Sequence, residues 1–254
     1  MTTRFSGRTA LVTGAGSGIG RATALAFAAE GAHVVAAGRR AAPLDETVAL
    51  IEGRGGKALA VRADISRADD AEALVRAAVD RFGSLDVAVN NAGVLRAGGP
   101  LADFPETDWR AQLDINVTGV FLALQAEIRQ MRTQPSGGAI VNVASNIGAH
   151  THVPGLAAYA ASKAAVTALS RAAALDHVRD GVRITVVSPG ATATAMSLRP
   201  GETEAERADR VRDALPLGRL SDPAEVAAAI LYLASDDAAP LVGTDLVIDG
   251  GAAL

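Results

Sequence analysis

Strand-length apolar runs alternate with segments of helical period along almost the whole chain, and no other feature restricts its fold as severely. The strand candidates are Thr9–Val12, His33–Ala37, Ala58–Arg62, Val87–Asn90, Ala139–Val143, Arg183–Val187 and Asp245–Ile248. Helical periodicity fills the gaps at Ile19–Glu30, Leu44–Arg54, Ala68–Phe82, Thr107–Met131, Leu156–Val178 and Pro223–Leu233. A strand, a helix and a second strand in succession favour a right-handed crossover between parallel strands. Repeated along the chain, this predicts an α/β domain: a doubly wound parallel sheet of about seven strands with helices on both faces. The central strands read as continuous apolar runs, as burial on both sides requires. No linker, repeat or low-complexity block interrupts the 254 residues, so one domain over 1–254 is expected. Only 191–215 departs from the pattern, being rich in Arg, Glu, Asp and Thr and containing Pro200-Gly201. It follows the sixth strand, near the carboxyl ends where doubly wound sheets bind ligands. A mobile, substrate-covering insertion is expected there.

Composition removes several functions. Apolar residues make up 49% of the chain and aromatics only 3%, so Ala, Val, Leu and Ile must fill the core. A net charge of −4 argues against a nucleic-acid surface, which is normally basic. Without cysteine there is no disulfide, thiolate metal site or thiol nucleophile. Residues 1–7 run into the first strand without a long apolar leader, and no apolar span of transmembrane length follows. A soluble cytoplasmic protein without membrane partners is expected. The sequon Asn116-Val117-Thr118 is then incidental.

The first strand ends in a glycine turn, Thr13-Gly14-Ala15-Gly16-Ser17-Gly18-Ile19-Gly20. Glycines here permit a tight turn and close approach of backbone to a pyrophosphate at the helix N-terminus. The spacing is T-G-x-x-x-G-x-G; neither a strict G-x-G-x-x-G nor the Gly-Lys-Ser/Thr of a phosphate-loop NTPase is present. Further on, Tyr159 and Lys163 stand four residues apart in a helical run, which places them on one face. A free phenol, with a pKa of about 10, is a poor base at neutral pH. A neighbouring cation favours the phenolate, so Lys163 is expected to lower the Tyr159 pKa.

Other short motifs lie at strand ends: Asn90-Asn91-Ala92-Gly93, Ser145, Pro189-Gly190 and Asp249-Gly250-Gly251, with Asn116 inside the long helix. With the glycine turn and Tyr159-x-x-x-Lys163, in this order, the chain resembles the short-chain dehydrogenase/reductase family, including its 3-oxoacyl-thioester reductases. The resemblance spans essentially the whole length and implies a Rossmann-like fold. It assigns catalysis to Asn116, Ser145, Tyr159 and Lys163. Ser145 would polarise a substrate carbonyl, and Tyr159 would give or take the proton. Lys163 would hold the nicotinamide ribose, and Asn116 would hold a water near Lys163 through helix backbone. Ser145 and Tyr159 are 14 residues apart, slightly more than in many relatives, which adds room in the intervening loop.

Cofactor contacts implied by the resemblance are Gly14, Ser17, Gly18, Ile19 and Gly20 in the turn, Asp64 and Ile65 at the adenine, and Asn91, Ala92 and Gly93 along the ribose. Tyr159 and Lys163 also contact the cofactor, as do Pro189, Gly190, Thr192 and Thr194. Thr192 departs from the branched aliphatic residue usual there. Asn90 more naturally supports the sheet. The second strand ends in Gly38-Arg39-Arg40 with no carboxylate to take a ribose 2′-hydroxyl. Arg39 suits a 2′-phosphate, so NADP(H) is expected in preference to NAD(H).

The expected function is hydride transfer between a nicotinamide and a ketone or secondary alcohol. Alternatives are an NAD(H)-preferring alcohol dehydrogenase and a nucleotide-sensing regulator without chemistry. His150-x-His152 lacks a convergent carboxylate cluster, so no metal is expected; Ser145 lacks a G-x-S-x-G elbow, which disfavours a hydrolase. His152, Val153, Leu156, Leu95 and Met196 are expected on the substrate side. The helices around Asn116 and Tyr159 are apolar nearly all round, which calls for a cover on more than one side. The family resemblance implies a homotetramer or homodimer built on them.

Overall fold

The computed structural model describes residues 3–96, 98–199 and 201–254; Pro200 of the insertion lies outside them. Seven parallel strands form one sheet in the order β3-β2-β1-β4-β5-β6-β7. They are β1 (Thr9–Thr13), β2 (His33–Gly38), β3 (Lys57–Arg62), β4 (Val87–Asn90), β5 (Gly138–Val143), β6 (Val182–Pro189) and β7 (Asp245–Ile248). Every expected strand is present, with ends within about two residues, the usual uncertainty of element boundaries. Successive residues point to opposite faces. Leu11, Val35, Ala88, Ile140 and Ile184 therefore pack into one core, while Ala10, Val12, Val34, Val89 and Val141 pack into the other.

The helices are α1 (Gly18–Ala29), α2 (Ala41–Glu52), α3 (Ala68–Phe82), α4 (Glu106–Leu113), α5 (Gly119–Met131), α6 (Asn146–Ala149), α7 (Ala157–His177), α8 (Glu204–Arg212) and α9 (Pro223–Ala234). Helix α2 starts before the expected Leu44, because Pro43 is tolerated in a first turn. Helix α3 has Asp69 and Asp70 in its first turn, Arg81 in its last and Gly83 in the left-handed conformation at its C-cap, as helix polarity favours. The expected helix Thr107–Met131 is divided by a π-helical turn, Asp114–Thr118, centred on Asn116. Short π segments frequently mark functional sites. The 191–215 segment follows β6, where the insertion is expected. It carries α8, begun by a Thr203–Glu206 capping box, and Arg210 pairs with Glu202. Among the described residues, no helix is long and apolar enough to cross a membrane.

The chain moves outward from β1 to β3, then returns to place β4 on the other side of β1. Such a reversal leaves a crevice at the carboxyl ends of β1 and β4, the ligand-binding position of doubly wound sheets.

Candidate active site

The glycine turn lies beside this crevice. At Gly20 a methyl group would come within 2.3 Å of the Gly14 carbonyl oxygen, so α1 begins where only glycine fits. Thr13 ties the turn to the next strand: its Oγ1 accepts from the backbone of Asn91 at 3.0 Å and Ala92 at 3.1 Å. Asn91 Nδ2 returns a bond to Thr13 O at 3.0 Å. Gly14–Gly20 and Asn91–Gly93 are therefore one unit. Ser17 is the N-cap of α1, yet its hydroxyl makes no capping bond. First-turn N–H groups of a helix lack intrahelical partners, and the helix N-terminus favours an anion. Thr194 stands over the same helix end, since a methyl at Gly18 would lie 3.0 Å from its Cγ2.

Arg39 is exposed at the end of β2. Ser66 hydrogen bonds, with Arg39 and Arg67 nearby, hold the Asp64 carboxyl below its ordinary pKa despite some desolvation. Ile65 is buried against Gly119. Gly190 packs closely on Asp249, and Thr192 pairs with Ser221 while its Oγ1 donates to Gly190 O at 3.0 Å.

The other four residues meet at the ends of β4, β5 and β6. Ser145 follows β5 in extended conformation; its Oγ accepts from Ile147 N at 3.1 Å, reaches Pro189 O at 3.5 Å and lies beside the Tyr159 phenol. Tyr159 and Lys163 lie on one face of α7, with Lys163 Nζ 5.9 Å from the phenol ring centroid. Lys163 Nζ donates to Val143 O at 2.8 Å. Asn116 accepts from Val94 N at 2.8 Å and donates to Val94 O at 2.9 Å and Ser162 Oγ at 3.1 Å. Its side chain is thus committed to protein partners. Any water it holds must use the π-turn backbone.

One expectation is overturned. Burial raises the Tyr159 pKa, and the neighbouring Ser145 hydroxyl offsets this only in part. Lys163 does not supply the expected lowering, because burial also penalises its charge and holds its pKa down to about 8. The phenol is therefore protonated at neutral pH.

The residues around the crevice are of the kind that hold a dinucleotide: a glycine turn at a helix N-terminus and bare backbone beside a lysine. A Cβ added at Gly93 would sit 3.5 Å from Lys163 Nζ and 3.3 Å from Asn116 Oδ1, so bare backbone borders the lysine. Thr13 and Ser162 take part in this arrangement without having been singled out from sequence, although both fall inside the quoted motifs. Gln112, which accepts from Arg96 N at 2.7 Å, carries no signal of its own. Val153 and Met196 are exposed on the expected substrate side.

A family model described as enoyl-(acyl carrier protein) reductase matches residues 14–253. The chain belongs to the short-chain dehydrogenase/reductase family: it is a Rossmann-fold oxidoreductase acting on CH–OH and C=O groups, and the family uses nicotinamide cofactors. A relative from Sphingobium indicum, 2,5-dichloro-2,5-cyclohexadiene-1,4-diol dehydrogenase, is 41% identical over 248 residues, covering 97% of each chain. The 3-oxoacyl-[acyl-carrier-protein] reductase of Synechocystis is 40% identical over 251 residues, covering 98% of each. The crystal structure of levodione reductase superposes with a TM-score of 0.92 at 34% identity, over 97% of this chain and 98% of that one.

Proposed function

We propose that this protein is an NADP(H)-dependent oxidoreductase interconverting a ketone and a secondary alcohol, with Tyr159 as the general acid and base. The observation carrying this reading is the meeting of Ser145, Tyr159 and Lys163 beside the Gly93 backbone. When bound, the nicotinamide exchanges a hydride with the carbinol carbon. Ser145 orients the substrate oxygen and stabilises the charge that develops on it. Tyr159 donates a proton to that oxygen in reduction and removes it in oxidation. Lys163 holds the ribose hydroxyls, and Asn116 fixes the Val94 backbone and Ser162 around the lysine. Gly14, Ser17, Gly18, Ile19, Gly20 and Thr194 receive the pyrophosphate end, and Asp64 and Ile65 receive the adenine. Asn91, Ala92, Gly93, Pro189, Gly190 and Thr192 line the remainder. A regulator that only senses nucleotide needs no buried phenol paired with a serine. Assays of NADPH consumption with cyclic ketones and 3-oxoacyl thioesters, the chemistries named by the relatives, test this reading; turnover of neither class would count against it.

The cofactor preference rests on Arg39 and the absence of a carboxylate at 38–40. A charge-assisted hydrogen bond contributes about 1.5–3 kcal/mol. Arg39→Ala is accordingly expected to lower kcat/KM for NADPH roughly ten- to hundredfold while changing that for NADH little. A wild-type preference for NADH in the same assay would reverse the assignment.

We also read α5 and α7 as the subunit contact of a homotetramer or homodimer. Phe121, Leu175 and Val178 are exposed there, flanking an apolar groove lined by Leu124, Ile128 and Leu169. Light scattering is expected to give a dimer or tetramer for the wild type and smaller, still helical species for Phe121→Glu. A monomeric wild type at micromolar concentration would end this reading.

A further inference from the structure

Ser145 heads the loop that contains α6, a single distorted turn and not a regular helix. Ile147 (φ −76, ψ 112) and Gly148 (φ 135, ψ −88) break helical geometry. The loop closes on itself instead, through Thr151 N to Asn146 O at 2.8 Å and Gly148 N to Thr151 O at 2.9 Å. A ring of this kind at the end of one strand is free to swing as a unit unless other elements hold it. Three contacts do so. Gly148 lies flat on α7, where a methyl group would come 2.8 Å from Ala160 O and 2.9 Å from Ala164 N, the residues that directly follow Tyr159 and Lys163. Asn146 Nδ2 donates to Asp249 Oδ2 at 3.2 Å. His150 Nε2 lies 2.8 Å from Asp245 Oδ2, and with a carboxylate as acceptor the ring nitrogen carries the proton.

Asp245 is an unusual acceptor at a strand start. Its side chain is 0% exposed and also accepts from Ser188 Oγ at 2.6 Å and Thr167 Oγ1 at 3.3 Å. Buried ionic groups add little stability compared with apolar residues of similar size; fixing geometry is a better-attested use. Here the carboxylate gathers donors from β6, α7 and the serine loop at one point. His150 is thereby explained without a metal, its partner being a carboxylate already filled by protein donors.

We propose that the His150–Asp245 pair is a positioning device for Ser145, fastening the serine loop to β7 and so setting where the hydroxyl meets the reacting oxygen. The inference rests on the role given to Ser145 above. A displacement of about 1 Å can cost up to ~100-fold in rate.

The test is a kinetic cycle. His150→Leu, which keeps bulk and removes the donor, is expected to lower kcat about tenfold or more. The KM for the cofactor is expected to stay within about twofold, because neither His150 nor Asp245 is among the residues given to the cofactor. His150→Gln returns an N–H at a similar reach and is expected to recover most of the loss. In a Ser145→Ala background, His150→Leu is expected to change kcat less than about twofold, since residues acting as a unit are not additive. Equal losses in both backgrounds would overturn the positioning role while leaving the serine's intact. So would an unaltered kcat in His150→Leu, or a loss that follows unfolding in a circular-dichroism melt and is not recovered by glutamine. Full activity in Ser145→Ala alone would instead remove the serine's role, and this inference with it.

Discussion

Tyr159→Phe is expected to bind the nicotinamide cofactor as the wild type does and to lose about 10²- to 10⁴-fold in kcat, the range contributed by general acid–base catalysis. The variant removes one oxygen and leaves the ring that packs near Lys163. Fluorescence titration of the cofactor, combined with steady-state rates, separates the two effects. A wild-type kcat in the variant would show that the proton moves by another route. The raised phenol pKa adds a directional consequence. In reduction the protonated phenol is the working form, so the rate is expected to hold across neutral pH and fall only on the alkaline side. In oxidation the phenolate is needed, so the rate is expected to rise with pH over the same range.

The raised phenol also shows where sequence and structure part. Spacing alone places Tyr159 and Lys163 on one helical face, and α7 bears that out. Spacing says nothing about burial, and it is burial that reverses the expected direction of the phenol's pKa. A similar division runs through the chain. Period and strand length were enough to locate all seven strands: the central ones are buried and read as apolar runs, and the edge strands β3 and β7, only partly buried, still carry apolar residues over strand length. The π turn at Asn116 was not legible, because its side chains retain helical periodicity while one turn of backbone widens. The Thr203–Glu206 capping box stands in the sequence as T-x-x-E, inside a polar segment that was read only as an insertion. Pairings such as His150–Asp245 join residues 95 positions apart. No local pattern marks them; only the folded topology brings the serine loop against β7.

Glu127 is the other place where burial decides the chemistry. It lies on α5, 1% exposed, and its Oε2 accepts from Asn90 Nδ2 at 2.9 Å. Asn90 Nδ2 also donates to Asn142 Oδ1 at 2.9 Å, and Asn142 Nδ2 donates to Ser170 Oγ at 2.8 Å. Two buried acceptors, Glu127 Oε1 and Asn90 Oδ1, remain without partners. The cluster is short of a donor, and a proton on Glu127 supplies one. Desolvation favours the same outcome, raising the Glu127 pKa from 4.5 to about 7 despite the Asn90 bond. Below about pH 4.5 the group is neutral in both folded and unfolded chains, so its full stabilising contribution is present. Between 4.5 and 7 the unfolded chain releases a proton that the folded protein retains, and stability falls as pH rises. Above 7 the accumulated loss is roughly 3 kcal/mol. Glu127→Gln keeps the shape and brings its own N–H donor. It is expected to leave stability almost unchanged at pH 4.5 and to raise it by up to roughly 3 kcal/mol at pH 8, measured by urea unfolding. An equal gain at both pH values would mean that packing, and not a buried proton, accounts for the difference. A loss at pH 8 would mean that the carboxylate is paired in the folded protein after all.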